Sequence, residues 1–363
     1  MINSGSCMIN SLLGGSIMAM ASSLHLYLQG KITGISGIIF HCITINNFRY
    51  NFSFFCGMLF ISSFIKCFFD PLSKSKELNS VTYLEAPLKF VGDLSLLGFI
   101  IAGFLVGFGA KMANGCTSGH GVCGLPRLSK RSIVAISLFM IFGITTATIR
   151  FYIPFLRPNS YAFNVWENSF IYYLVLTLSI VGFVINLLKS KKSGAKDSVR
   201  DALISFNIGI MFSYGLIQSG MLQRHVVIEF LTIGKIWNIQ LAFVLGSAVG
   251  INFFTFNIIL KRIGKPKYKE NFDLSTNTKI DNKLCVGSAI FGVGWGLSGI
   301  CPGPAILTCY LYCPQILSFF LSLCCGMFIE NILDKKITES VNNNNFISKI
   351  NKFSKFQDSS ENA

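Results

Sequence analysis

Apolar runs about as long as a bilayer is thick recur from one end of this 363-residue chain to the other, and they constrain its fold more than any other feature. They cover roughly 9–29, 52–69, 96–114, 132–153, 170–188, 202–218, 241–260, 284–300 and 316–333. Each approaches the ~20 residues that cross a ~30 Å hydrocarbon core. Lipid offers the backbone no hydrogen bonds, so each run must satisfy its own N–H and C=O groups as a helix. Hydrophobic residues make up 52% of the chain, charged residues 13%, and mean hydropathy is +0.57, too apolar for a soluble protein of this size. The expected fold class is an all-α integral membrane protein of about nine transmembrane helices. No Lys or Arg precedes the first run, so it reads as a span rather than a cleaved secretory leader.

Charge orients these spans. The net charge of +15 resides mainly in short loops and the C-terminal tail. With the N-terminus outside, one side holds Lys31, Arg49, Arg127, Lys130, Arg131, the basic linker 189–201 and the loop 261–283. The other holds Lys74, Lys76, Lys89, Arg157, Arg224 and Lys235. The positive-inside rule then puts the C-terminus in the cytosol, in a plasma or an organellar membrane. This distribution fits lipid headgroups rather than nucleic acid. Most of the 12 cysteines lie inside apolar runs, as Cys56, Cys67, Cys324 and Cys325 do, and read as small hydrophobes rather than disulfide partners. The expected organisation is a first transmembrane half at 9–188, the linker at 189–201, a second half at 202–333 and a disordered Asn/Lys-rich cytosolic tail at 334–363.

The halves share a motif. Gly107-Phe-Gly109 precedes Cys116 at the same distance as Gly292-Val-Gly294 precedes Cys301. Five spans separate the two cysteines, so they approach from opposite faces, the mark of two inverted pseudo-repeats. Helix breakers follow each: Gly119, Gly121, Gly124 and Pro126 after Cys116, and Pro302-Gly303-Pro304 after Cys301. Both segments are expected to re-enter the membrane, where irregular backbone survives only if it is buried in protein or lines a cavity. A short helix after each break would aim N–H groups inward and suit an anion. Gly107, Gly109, Gly115, Gly119, Gly292, Gly294, Gly299, Pro302 and Gly303 are expected to pack the pore closely.

Two thiols across a constriction suit a substrate with a terminal sulfur, selenium or soft metal better than a hard oxyanion. Cys116-x3-His120-x2-Cys123 contains metal-ligand residue types, but its spacing is not a standard one and the second half has no matching His. No metal or cofactor is expected; His120 and Cys123 are candidate path-lining groups instead. Lys111 could concentrate anions at the mouth, or snorkel to the interface. No P-loop, H-E-x-x-H or G-x-S-x-G is present, which argues against ATP hydrolysis or hydrolytic catalysis and against an enzyme.

The segments Gly107–Ser132 and Phe291–Pro304 resemble the signature of the YeeE/YedE family of sulfur-transport membrane proteins. Gly30–Gly37 and Ser219-Gly-Met221 are weaker matches, and together these cover about 10–330. The resemblance implies a thiosulfate importer that relays its substrate along a central path by contacts with cysteine thiols, without large rearrangement. By motif these are Cys116 and Cys301. The family path also implies a further cysteine near the first re-entrant loop, for which Cys42 is the nearest candidate. Expected partners are a small sulfur-containing anion, the bilayer and a cytosolic sulfur-carrier or sulfurtransferase protein. Alternatives are a selenium compound as cargo, or a membrane thiol sulfurtransferase or redox protein.

Overall fold

The computed structural model describes residues 4–45, 48–68, 94–153, 169–192, 196–234, 237–274, 278–309 and 314–360. The first half contains α1 (Ser4–Gln29), α2 (Ile35–Ile43), α3 (Phe48–Phe68), α4 (Leu96–Met112), a π-helical turn (Thr117–Gly124) and α5 (Lys130–Tyr152). After α6 (Ser169–Lys192), the second half contains α7 (Lys196–Gln218), α8 (Arg224–Leu231), α9 (Gln240–Asn257), α10 (Asn282–Ser298), α11 (Pro302–Thr308) and α12 (Pro314–Ser360). Among the described residues each half therefore runs long, short, long, long, short, long.

Six described helical segments are long and apolar enough to cross a membrane: Cys7–Gln29, Phe48–Phe68, Lys130–Tyr152, Ile171–Lys189, Gln240–Ile263 and Pro314–Glu339. Two bent pairs, Leu96–Met112 with Thr117–Arg127 (48°) and Asn282–Ser298 with Pro302–Thr308 (41°), raise the count to eight if each is one span. The sequence predicts a ninth at 202–218. That run is helical within α7 but is not in this set, because Asn207 interrupts it and Asp201 and Gln218 flank it. The last described helix, α12, runs from Pro314 to Ser360.

Helices at matching places in the two halves pair alike. α1 packs on α9 as α7 packs on α3, and α4 packs on α12 as α10 packs on α5. α1 and α7 are antiparallel: Ser11 Oγ donates to the Ser219 carbonyl at one end, and Gln29 Nε2 to the Asp201 carbonyl (2.8 Å) at the other. α4 and α10 are antiparallel too, since Gly109 lies against Phe291 near its end while Gly294 lies against Ala102.

The shared glycines explain that closeness. A Cβ on Gly107 would sit 2.0 Å from the Leu323 carbonyl oxygen of α12, and one on Gly292 2.9 Å from the Phe139 carbonyl oxygen of α5. The other glycine of each pair, Gly109 or Gly294, faces the opposite half's bent helix. Without a hydrophobic drive between helices in lipid, backbone contact of this kind is what holds them. Between them lies a fully buried aromatic layer of Phe99, Phe139, Phe291 and Phe319, with the Phe139 and Phe291 ring centroids 4.4 Å apart.

Candidate functional site

The same local device presents both motif cysteines. α4 stops at Met112, and Asn114 takes a left-handed conformation (φ 57°) two residues before Cys116. α10 stops at Ser298, and Gly299 does the same (φ 68°) two residues before Cys301. Each cysteine is then extended, at φ −121°, ψ −169° for Cys116 and φ −87°, ψ 161° for Cys301. Each carbonyl accepts the first bond of the short helix that follows, from His120 N (2.9 Å) and from Ala305 N (3.0 Å). Pro302 fits the first position of α11, where its missing N–H costs nothing.

Both thiols line one cavity of about 80 Å³, several times the space one water needs. Cys116 is 1% exposed and Cys301 3%. Apolar side chains dominate the wall, among them Phe139, Phe212 and Leu216. Two hydroxyls address the sulfurs. Thr117 Oγ1 donates across the halves to Cys301 Sγ (3.6 Å), and Ser118 Oγ lies 3.2 Å from Cys116 Sγ. The Ile35 N–H donates to Ser118 Oγ (3.1 Å), tying this loop to α2.

A second cavity, of about 990 Å³, opens on the other side of the Cys116 loop. Lys31, Lys111, Arg127, Lys130 and Arg131 line it, with Asp273 as a lining acid. The partition between the cavities is thin. Gly34, Ser36, Gly115 and Gly119 face the basic vestibule, whereas Ile35, Cys116, Thr117 and Ser118 face the thiol cavity. The loops cross where Gly34 and Gly119 meet: a Cβ on Gly119 would lie 3.8 Å from Gly34 Cα. Lys111 sits with its ammonium 3.9 Å over the Phe40 ring and is attracted by Glu330. Burial pulls the Lys31 ammonium below its usual pKa range, and Asp273 opposes that shift.

His120 lines the vestibule and braces the loop. Its Nδ1 pairs with Ser132 Oγ (3.0 Å) and its Nε2 lies 3.3 Å from the Ala113 carbonyl oxygen. Gly115 leaves room for that ring, since a Cβ there would fall 2.7 Å from His120 Nε2. Cys123 faces away from both cavities. Its thiol donates to the Thr33 carbonyl (3.6 Å), and it packs with Leu26, Val122 and Phe256. Cys42 lies on the last turn of α2, packed against the core, and lines neither cavity. Of the six path candidates, Cys116 and Cys301 meet in one cavity, Lys111 and His120 line the other, and Cys42 and Cys123 line neither. Gly303 and Pro302 line the thiol cavity.

The Cys301 side is closed differently. Arg224 donates to the Ser298 and Leu297 carbonyls, and Arg150 donates to the Leu297 carbonyl (2.6 Å). These are the last carbonyls of α10, where positive charge opposes the negative end of the helix dipole. Arg224, read from sequence as a loop charge, is 2% exposed, and its guanidinium also lies 5.3 Å from the Phe99 ring centroid. Sequence reasoning missed Arg150 and Arg224, and also Thr117 and Ser118. The two hydroxyls directly follow Cys116, but nothing local reveals that Thr117 reaches the opposite half.

Comparison with known proteins yields two family matches. A family described as sulphur transport matches residues 80–146, and a family of unknown function (DUF6691) matches residues 201–341. Two probable transporters of Xylella fastidiosa (strain Temecula1 / ATCC 700964) are similar to this chain. One is 37% identical over 129 residues, covering 35% of this chain and 86% of the relative. The other is 36% identical over 137 residues, covering 38% and 90%.

Proposed function

The chain belongs to the YeeE/YedE sulphur-transport family, and on that premise we propose that it carries thiosulfate or a related reduced-sulfur anion across the membrane between Cys116 and Cys301. The observation that carries this reading is the single cavity on which one thiol from each half converges. A terminal sulfur is large and polarizable and can meet a thiol on either side of it. The basic vestibule supplies the anion basin, with Lys111, Arg127 and Arg131 raising the local anion concentration next to the partition. The crossing of Gly34 and Gly119 is the constriction between basin and thiols.

The antiparallel pairing of α1 with α7 and of α4 with α10 supports an inverted repeat. Under the positive-inside rule the vestibule face, which also bears Lys269 and Lys283, is cytosolic, and the Cys301 side faces outward. Import then runs from Cys301 to Cys116 and discharges into the vestibule, whose positive charges draw the anion through the partition and where an acidic face of a sulfur-carrier protein could meet it. Catalytic thiol turnover fits less well, because a reactive thiolate needs access and both thiols are almost wholly buried among apolar side chains. Uptake of labelled thiosulfate into proteoliposomes tests the reading, with wild-type protein against empty vesicles.

A further inference from the structure

An anion inside the thiol cavity poses a problem that the cysteines do not solve. Thiols are weak donors, and an oxyanion taken from water into an apolar cavity needs strong ones. The cavity wall contains three. Thr117 Oγ1 and Ser118 Oγ stand beside the two sulfurs, and Thr117 gives up its long bond to the weakly accepting Cys301 Sγ when it turns its proton to an oxygen. Ser118 already accepts the Ile35 N–H, so its own proton is available to a cavity occupant. The third is Trp295, whose indole is 3% exposed and lines the same cavity. Its Nε1–H has no hydrogen-bond partner among the described residues beyond a weak approach to Cys301 Sγ. A buried indole N–H with only a weak sulfur acceptor beside it is open to a stronger one.

The donors are not distributed by the repeat. Thr117 and Ser118 follow Cys116, whereas Pro302-Gly303-Pro304 follows Cys301 and offers no hydroxyl. Trp295 lies as far before Cys301 as Ala110 lies before Cys116. Each half therefore supplies what the other lacks, and the three donors converge only in the assembled cavity.

We propose that Thr117, Ser118 and Trp295 hold the oxygen atoms of a sulfur oxyanion while its terminal sulfur meets Cys116 and Cys301. This assignment rests on the transport reading and deepens it. It makes the substrate class two-ended: an anion with one exposed sulfur and up to three oxygens. Sulfide ions lack the oxygens, and sulfate lacks the sulfur.

The test uses the full chain in proteoliposomes and detergent, with thiosulfate as the probe. Thr117→Val and Trp295→Phe each remove one donor while keeping most of the side-chain bulk. A lost hydrogen bond to a charged group is expected to raise the thiosulfate concentration for half-maximal uptake about tenfold or more. The maximal rate should fall less, and Thr117→Ser should restore the wild-type value. In detergent, the concentration of thiosulfate that stabilises the protein against heat should shift by the same factor, a readout that requires only folded protein. If wild type takes up and is stabilised by thiosulfate while both variants match its half-saturation, the oxygen assignment is overturned and the transport reading stands. If wild type shows neither uptake nor stabilisation, the transport reading falls and this assignment falls with it.

Discussion

The two bent helices end in the same motif but meet different surroundings. α4 runs out beside a wide, basic vestibule, and its terminal loop is held by a histidine paired with Ser132 and close to the Ala113 carbonyl. α10 runs out against buried Arg150 and Arg224, which occupy its last carbonyls. A shared motif thus presents two thiols in the same way, and the side chains around it make one end open and the other braced. The comparison teaches that the shared motif sets where the thiols stand, while the residues around it decide which end carries open positive charge.

The comparison can be broken by attacking each end. The largest effect should come from Gly107→Ala, whose new Cβ meets backbone at 2.0 Å and has nowhere to go. A loss of about 3 kcal/mol is expected, read as a lowered unfolding temperature in detergent. Gly292→Ala, at the matching position, meets backbone at 2.9 Å and should cost less, about 1 kcal/mol. Equal losses would contradict the packing described for the two halves. Next, Arg224→Met should uncover the α10 carbonyls and cost about 2 kcal/mol. It should leave the salt dependence of uptake unchanged, because that arginine braces rather than steers.

The vestibule should show the converse. Lys111→Gln with Arg127→Gln should slow thiosulfate passage several-fold at low salt, with the difference shrinking as salt rises past roughly 0.15 M. Stability should change little. A deficit that persists undiminished at high salt would argue against steering by these charges.

The smallest effect concerns Asp281, which caps α10 through the Leu284 N–H (2.9 Å) and pairs with Arg131 (3.4 Å) at the vestibule rim. Burial pushes its carboxyl up, but the Leu284 N–H and Arg131 outweigh this and hold its pKa below the usual value. A depressed folded pKa contributes stability that is fully present above the unfolded value and is lost as pH falls through the folded one. Asp281→Asn keeps the cap and removes the charge. It should lower stability at neutral pH by about 0.5 kcal/mol or less, with the difference vanishing in acid.

Much of this was legible in the residues. Apolar runs of span length announced the helices, and the shared Gly-x-Gly and cysteine spacing singled out two cysteines that line one cavity. Helix breakers after Cys116 and Cys301 correctly marked the bends. What the chain hid is tertiary. A cysteine in an apolar helix carries no local sign of which face it occupies, so Cys42 and Cys123 read like path residues although they line neither cavity. Arg224 follows Gln223 in what looks like a polar loop, and only folding buries it against α10. Thr117 and Trp295 gain their meaning from Cys301 in one case by crossing between halves and in the other by turning inward from a glycine-rich helix.

The central claim is that a sulfur anion passes between Cys116 and Cys301. Labelled thiosulfate uptake into proteoliposomes by Cys116→Ala and Cys301→Ala tests it most directly. The account predicts that each variant folds like wild type and loses at least about tenfold of its uptake, since the sulfur end then has a single thiol to meet. Uptake at the wild-type rate in both variants would contradict it.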